Sequence, residues 1–126
     1  MSTGALNPVC LLDDEASVLK ALGRLLASEG FLSEKFTDPA LFLAFARDHA
    51  ISLAVIDVRM PGMNGLEVLA TLRSFSPKTR AIVITAEDDP ANRATALARG
   101  ASAFFLKPFD NDAFLQAVQS ALAQEE

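Results

Sequence analysis

The sequence predicts an α/β fold: an open, doubly wound sheet of five parallel strands with helices on both faces. Three observations predict it. Short apolar runs alternate five times with stretches whose apolar residues recur at helical spacing. The clearest runs, Leu53 to Ile56 and Ala81 to Ile84, are apolar without interruption, as strands covered on both faces are. Caps and breakers stand between the runs, among them Asp38-Pro39, Asp89-Pro90, Gly30 and Gly100. Right-handed crossovers then wind the chain both ways from the middle of the sheet.

The elements follow in order. Val9-Cys10-Leu11-Leu12 is a buried strand that ends in Asp13-Asp14-Glu15. Val18, Leu19, Leu22, Leu25 and Leu26 mark the inner stripe of a first helix, which Gly30 stops. Phe31 to Phe36 is a weaker, more polar strand suited to a sheet edge. Asp38 caps a second helix, and Leu41, Phe42, Phe45 and Ala46 are expected to carry it inward. The third strand ends at Asp57, and Pro61, Gly62 and Gly65 mark a loop before a helix over Leu66 to Phe75. The fourth strand ends at Thr85. Asp89-Pro90 opens a helix that runs to about Arg99. Ser102 to Leu106 is the fifth strand, Lys107-Pro108 breaks it, and Asp110 caps a last helix carrying Phe114, Leu115, Val118 and Leu122.

A chain of 126 residues, 51% of them hydrophobic, closes one core without staples and is no disordered segment. Residues 9–124 form that domain, behind a short flexible tail over residues 1–8. The tail has no basic and apolar signal-peptide pattern, and no run is long enough to span a bilayer, which points to the cytoplasm. The net charge of −5 argues against contact with nucleic acid or an anionic membrane by this domain. Cys10 lies in an apolar run and reads as a buried, inert thiol. His49 has no second His or Cys nearby, which excludes a transition-metal site there.

In an open α/β sheet, ligands bind outside the carboxyl ends of the strands. The first strand delivers Asp13 and Asp14 to that edge, the third Asp57, the fourth Thr85 and the fifth Lys107. Three carboxylates in one cleft repel each other and raise their own pKa values. A hard cation removes the difficulty, and Mg²⁺ (or Mn²⁺) suits one or two carboxylates plus a phosphate. An acidic cluster with a lysine and a threonine therefore reads as a phosphoryl-transfer site with a carboxylate as acceptor.

Taken singly, these residues have ordinary explanations. Acids before a helix cap it, a threonine at a strand end is commonly a cap, and a lone lysine is usually a solvated charge. Gly62 and Gly65 shape the loop after the site and need no chemical role. Phe105 reads as core packing. The joint occurrence at one edge gives the set its meaning.

With those residues in view, the chain resembles a receiver (phosphoacceptor) domain of two-component response regulators over nearly its whole length. The resemblance rests on Asp13-Asp14, on Asp57 through Gly65 (DVRMPGMNG), on Thr85-Ala86, and on Gly100-Ala101 with Lys107-Pro108-Phe109. It implies the flavodoxin-like (βα)₅ fold with strand order 2-1-3-4-5; that order comes with the family rather than from the residues. It also implies that Asp57 accepts a phosphoryl group from the phosphohistidine of a histidine kinase or phosphotransfer protein. Asp14 and Asp57 would bind Mg²⁺, Asp13 mostly through water, and the Arg59 backbone carbonyl would complete the ligands. Thr85 and Lys107 would bind the phosphoryl group, and Thr85 and Phe104 would move together as a switch. Lys107-Pro108 matches the family's cis peptide. Arg59 and Glu87 stand where the family tunes phosphate lifetime, and they are placed to pair across the mouth of the site. Phe104 departs from the commoner tyrosine, so a hydrogen bond through that hydroxyl is absent.

The surface expected to change runs over the fourth helix, fifth strand and fifth helix, roughly residues 89–123. The resemblance implies that it serves phosphorylation-dependent dimerisation or control of an effector domain outside these residues. The domain would catalyse only its own phosphorylation and dephosphorylation. Two alternatives stand beside this reading. One is an aspartate-nucleophile phosphohydrolase of the haloacid-dehalogenase type, which wants a second aspartate where Arg59 stands. The other is a phosphate-independent interaction module, which usually has lost an acid or the lysine.

Overall fold

The structure is a computed structural model that describes residues 8–123. The expected tail over residues 1–8 falls, Pro8 apart, outside the described residues. Five strands, β1 (Val9–Leu12), β2 (Ser33–Phe36), β3 (Leu53–Asp57), β4 (Arg80–Thr85) and β5 (Ala103–Leu106), alternate with five helices. The helices are α1 (Ala16–Ser28), α2 (Pro39–Asp48), α3 (Gly65–Phe75), α4 (Pro90–Ala98) and α5 (Asn111–Ala123). All strand pairs are parallel, and the sheet order is β2-β1-β3-β4-β5. The doubly wound fold and its order thus agree with expectation.

The period of two in a strand divides the core. Val9 and Leu11, Leu53 and Val55, Ile82 and Ile84 face α1 and α5, where Leu19, Leu22, Leu26, Phe114, Val118 and Ala121 meet them. Cys10, Leu12, Ala54 and Ile56 face the other way, onto Phe42 and Ala46 of α2 and Val68 and Leu72 of α3. Ala81 and Val83 pack on the same side against Leu66, Leu69 and Ala96. Each fully buried leucine or isoleucine is worth about 1.5–3 kcal/mol, so this two-sided core is the main source of stability.

The helix starts are written in the chain. Asp38 accepts from the Ala40 amide at 2.9 Å and Asp89 from the Ala91 amide at 2.9 Å, each with proline next in line. Asp110 accepts from the Ala113 amide at 2.9 Å at the start of α5. Asn64 and Glu67 form a full capping box at the start of α3. Gly30 and Gly100 follow α1 and α4 with φ of +83° and +93°, which only glycine adopts without strain.

Two expectations need correction. Leu41 is 62% exposed, because the inner stripe of α2 is set by Phe42 and Ala46, four residues apart, with Leu43 and Phe45 beside them. The second strand begins at Ser33 rather than Phe31; Phe31 packs against the core while Leu32 stands 62% exposed. β5 closes one edge of the sheet, as the expected strand order requires; its first three residues are half-buried, and Leu106 is exposed. Cys10 is fully buried, and burial, with Glu34 adding to it, pushes its thiol up to about 12, so it stays protonated. His49 is exposed and stacks on Phe45. Among the described residues no helix is long and apolar enough to cross a membrane.

Candidate functional site

Parallel register brings distant residues to one edge. Leu12 pairs with Ile56, Asp57 with Ile84, and Thr85 with Leu106. The next residue along β1 is Asp13, and the next along β5 is Lys107, so both emerge beside Asp57. The Lys107 amide donates to the Thr85 carbonyl at 2.7 Å and the Asp13 amide to that of Phe36 at 3.1 Å, which fixes both turns. The Lys107–Pro108 peptide is cis.

Lys107 Nζ lies 2.9 Å from Asp13 Oδ2 and 3.3 Å from Asp57 Oδ1, bridging the two carboxylates. Asp13 also accepts from the Glu15 amide at 2.9 Å. Asp13 is fully buried, Asp57 is 3% exposed, and Asp14 is open to solvent. One oxygen from each of Asp13, Asp14 and Asp57 lies within 4.8 Å of the others. Burial first, then the Asp13 charge, pushes the Asp57 carboxyl up to about 6, against the opposing pull of Lys107. Burial alone would lower the Lys107 ammonium, but its hydrogen bond to Asp13 and the charges of Asp13 and Asp57 hold it above its ordinary value. One ammonium among three carboxylates leaves negative charge over, and the donors are all hard oxygens; the residues fit Mg²⁺.

The loop after Asp57 is pinned tightly. The Val58 amide donates to the Ile84 carbonyl at 3.0 Å, and the Gly65 amide to the Val58 carbonyl at 2.8 Å. A Cβ on Gly65 would stand 2.0 Å from the Asp57 carbonyl oxygen. Glycine is therefore required at residue 65 by a close approach to the backbone of Asp57 itself. The spacing of the loop shows a turn there, but not what the turn touches.

A sequence profile described as "Response regulator receiver domain" matches residues 9–119. The chain belongs to the response regulator receiver domain family. Receiver domains are signalling modules, and they bind Mg²⁺ at an acidic cluster of this kind. Among curated relatives, the chain is 35% identical over 114 residues to the response regulator protein TodT of Pseudomonas putida, covering 90% of this chain and 50% of that protein. It is 35% identical over 113 residues to the transcriptional regulatory protein FixJ of Rhizobium meliloti, covering 90% and 55%. The chain thus spans about half the length of the curated relatives it matches. Among solved structures, the beryllofluoride-activated NtrC4 receiver domain dimer has a TM-score of 0.90 at 26% identity, covering 94% of this chain and 98% of that one.

Other receiver-domain positions surround the acids. Thr85 is fully buried, and its Oγ1 accepts from the Glu87 amide at 3.1 Å. Arg59 and Glu87 form an ion pair between the loops after β3 and β4; both side chains are largely in solvent. Glu87 raises the Arg59 guanidinium above its ordinary value. Beside Arg59 a cavity of about 330 Å³ is lined by Asp14, Arg59, Met60 and Pro61. Phe104, opposite Val83 in the β4–β5 register, is half-buried against the cluster of Leu66, Leu69, Ala81 and Ala96. The Arg93 guanidinium lies 5.7 Å from its ring centroid. Arg93 carries no motif signal; only α4 lying against β5 brings it to Phe104.

Proposed function

We propose that Asp57 accepts a phosphoryl group from the phosphohistidine of a histidine kinase or phosphotransfer protein, and that the phosphorylated domain controls a partner through α4, β5 and α5. The convergence of Asp13, Asp14 and Asp57, with Lys107 bridging two of them, carries the reading. A carboxylate oxygen of Asp57 attacks phosphorus, the phosphorus–nitrogen bond breaks, and its electron pair leaves with the imidazole. Asp57 is mostly ionised at neutral pH even with its raised pKa, so no base is needed. Lys107 stays protonated and supplies fixed positive charge to the phosphoryl oxygens, and the Thr85 hydroxyl turns to one of them. Mg²⁺ supplies further neutralisation of those oxygens; Asp14, Asp57 and the Arg59 carbonyl would hold it, with Asp13 acting mostly through water.

The domain then catalyses only its own phosphorylation and dephosphorylation. A haloacid-dehalogenase-type phosphohydrolase is disfavoured because Arg59, paired with Glu87, occupies the place of the second aspartate. A phosphate-independent module is disfavoured because all three acids and the lysine are present. The donor protein, a second copy of the chain and an effector domain are the partners this reading entails, acting in the cytoplasm.

Incubation with acetyl phosphate and Mg²⁺ should add the mass of one phosphoryl group, and Asp57→Asn should abolish it. Labelling that survives the substitution rules out Asp57 as acceptor. The Arg59–Glu87 pair, between the loops after β3 and β4, would govern the approach of water to the acyl phosphate. Arg59→Ala and Glu87→Ala should therefore change its half-life in the same direction, with little further change in the double variant. Half-lives that move in opposite directions would show that the two residues do not act as a pair.

A further inference from the structure

We propose that Arg93 is a positioning residue of the switch: its guanidinium, laid over the ring of Phe104, anchors that ring in the resting arrangement and is released when Asp57 is phosphorylated. The inference rests on the phosphoacceptor reading above and goes beyond it. A tyrosine at residue 104 could be held by its hydroxyl; a phenylalanine can be held only by packing and through the face of its ring. One side of Phe104 packs on the Leu66, Leu69, Ala81 and Ala96 cluster, and the exposed Arg93 supplies a cation to the ring. Arg93 has no carboxylate at ion-pair distance among the described residues, so the ring does not compete with an acid for it.

A continuous line of hydrogen bonds joins this contact to the site. The Glu87 amide donates to Thr85 Oγ1 at 3.1 Å. The Asp89 amide donates to the Glu87 carbonyl at 3.1 Å, and the Arg93 amide to the Asp89 carbonyl at 3.2 Å. A shift of Thr85 toward a phosphoryl group draws on Glu87, then on the capped start of α4, and so on the residue that covers Phe104. Arg93 stands one turn before the buried Ala96, on the exposed part of α4 from which its guanidinium reaches Phe104. The start of the helix and the ring therefore move as one element with two arrangements.

A contact made only in the resting arrangement opposes the switch. Its removal should tighten binding of beryllofluoride with Mg²⁺, the phosphoryl mimic, by about two- to fivefold, the equivalent of an exposed cation–π contact. Arg93→Gln keeps length and helix preference while removing the charge. The full chain is titrated by NMR as wild type, Arg93→Gln, Phe104→Leu and the double variant. Tighter binding in Arg93→Gln that disappears in the Phe104→Leu background is the expected result. Equal affinity in wild type and Arg93→Gln, or the same gain in both backgrounds, overturns the proposal. The Arg93 side-chain protons should also carry an upfield ring-current shift that vanishes on adding beryllofluoride; a shift that persists overturns release. Wild-type protein that takes up no beryllofluoride overturns the phosphoacceptor reading, and this proposal with it.

Discussion

Replacing Asp57 by asparagine should make the metal-free protein more stable at neutral pH, although it removes one arm of an ion pair. Burial and the neighbouring acids lift the Asp57 carboxyl from 3.8 to about 6, even with Lys107 at 3.3 Å. Each pKa unit corresponds to about 1.4 kcal/mol, so holding Asp57 ionised costs about 3 kcal/mol of folding free energy above pH 6. The direction is opposite to that of a salt-bridged aspartate. Below about pH 4 the carboxyl is protonated in both folded and unfolded chains, and no cost arises. Between about pH 4 and 6 the folded form retains a proton that the unfolded form has lost, and the cost grows until it is complete. Asparagine mimics the protonated acid and leaves Lys107 with Asp13 at 2.9 Å. The gain at pH 7.5 should reach about 10 °C in Tm for a chain of this size. Thermal unfolding of both proteins without metal, at pH 4 and at pH 7.5, is the measurement. An asparagine variant no more stable than wild type at pH 7.5, or one equally favoured at pH 4, refutes the reasoning. Mg²⁺ should raise the wild-type Tm more than that of the variant, because it relieves a repulsion the variant lacks.

Two further outcomes follow from the same geometry. Gly65→Ala places a methyl group 2.0 Å from the Asp57 carbonyl oxygen; the loop must shift, at about 1–3 kcal/mol in denaturant unfolding, and phosphorylation should slow with it. An unchanged unfolding midpoint would show that this approach is not required. Lys107→Met removes the ammonium that bridges Asp13 and Asp57. Mg²⁺ should then bind the metal-free protein more tightly by chelator competition, because no ammonium competes with it for Asp13 and Asp57. Acceptance from acetyl phosphate should fall by about 10²-fold; a rate near wild type would remove Lys107 from the chemistry.

Much of this molecule was legible before its structure. The alternation of apolar runs with helical stripes gives five strand–helix units, because burial of a strand or a helix face imposes its period on nearby residues. Asp38-Pro39, Asp89-Pro90 and Asp110 mark helix starts for reasons contained in one turn of chain. The capping box of Asn64 and Glu67 is equally local, a cap residue followed three positions later by a glutamate. Leu41 misleads because a hydrophobic residue next to Phe42 lies about 100° around the helix, and composition does not say which stripe wins. The half-burial of β5 follows from its place at a sheet edge, which strand order decides and no strand encodes by itself.

The acids, the threonine and the lysine at successive strand ends are properties of the sequence alone, and so is the prediction that they share one edge. How they share it belongs to the tertiary structure. Register between strands far apart in the chain sets Lys107 between Asp13 and Asp57, buries Asp57 until its carboxyl holds a proton up to about pH 6, and brings Gly65 against the Asp57 carbonyl. The packing of α4 on β5 sets Arg93 over Phe104. Distances of this kind arise between residues with no common local pattern, so only the packed core, which fixes every strand and helix at once, decides them.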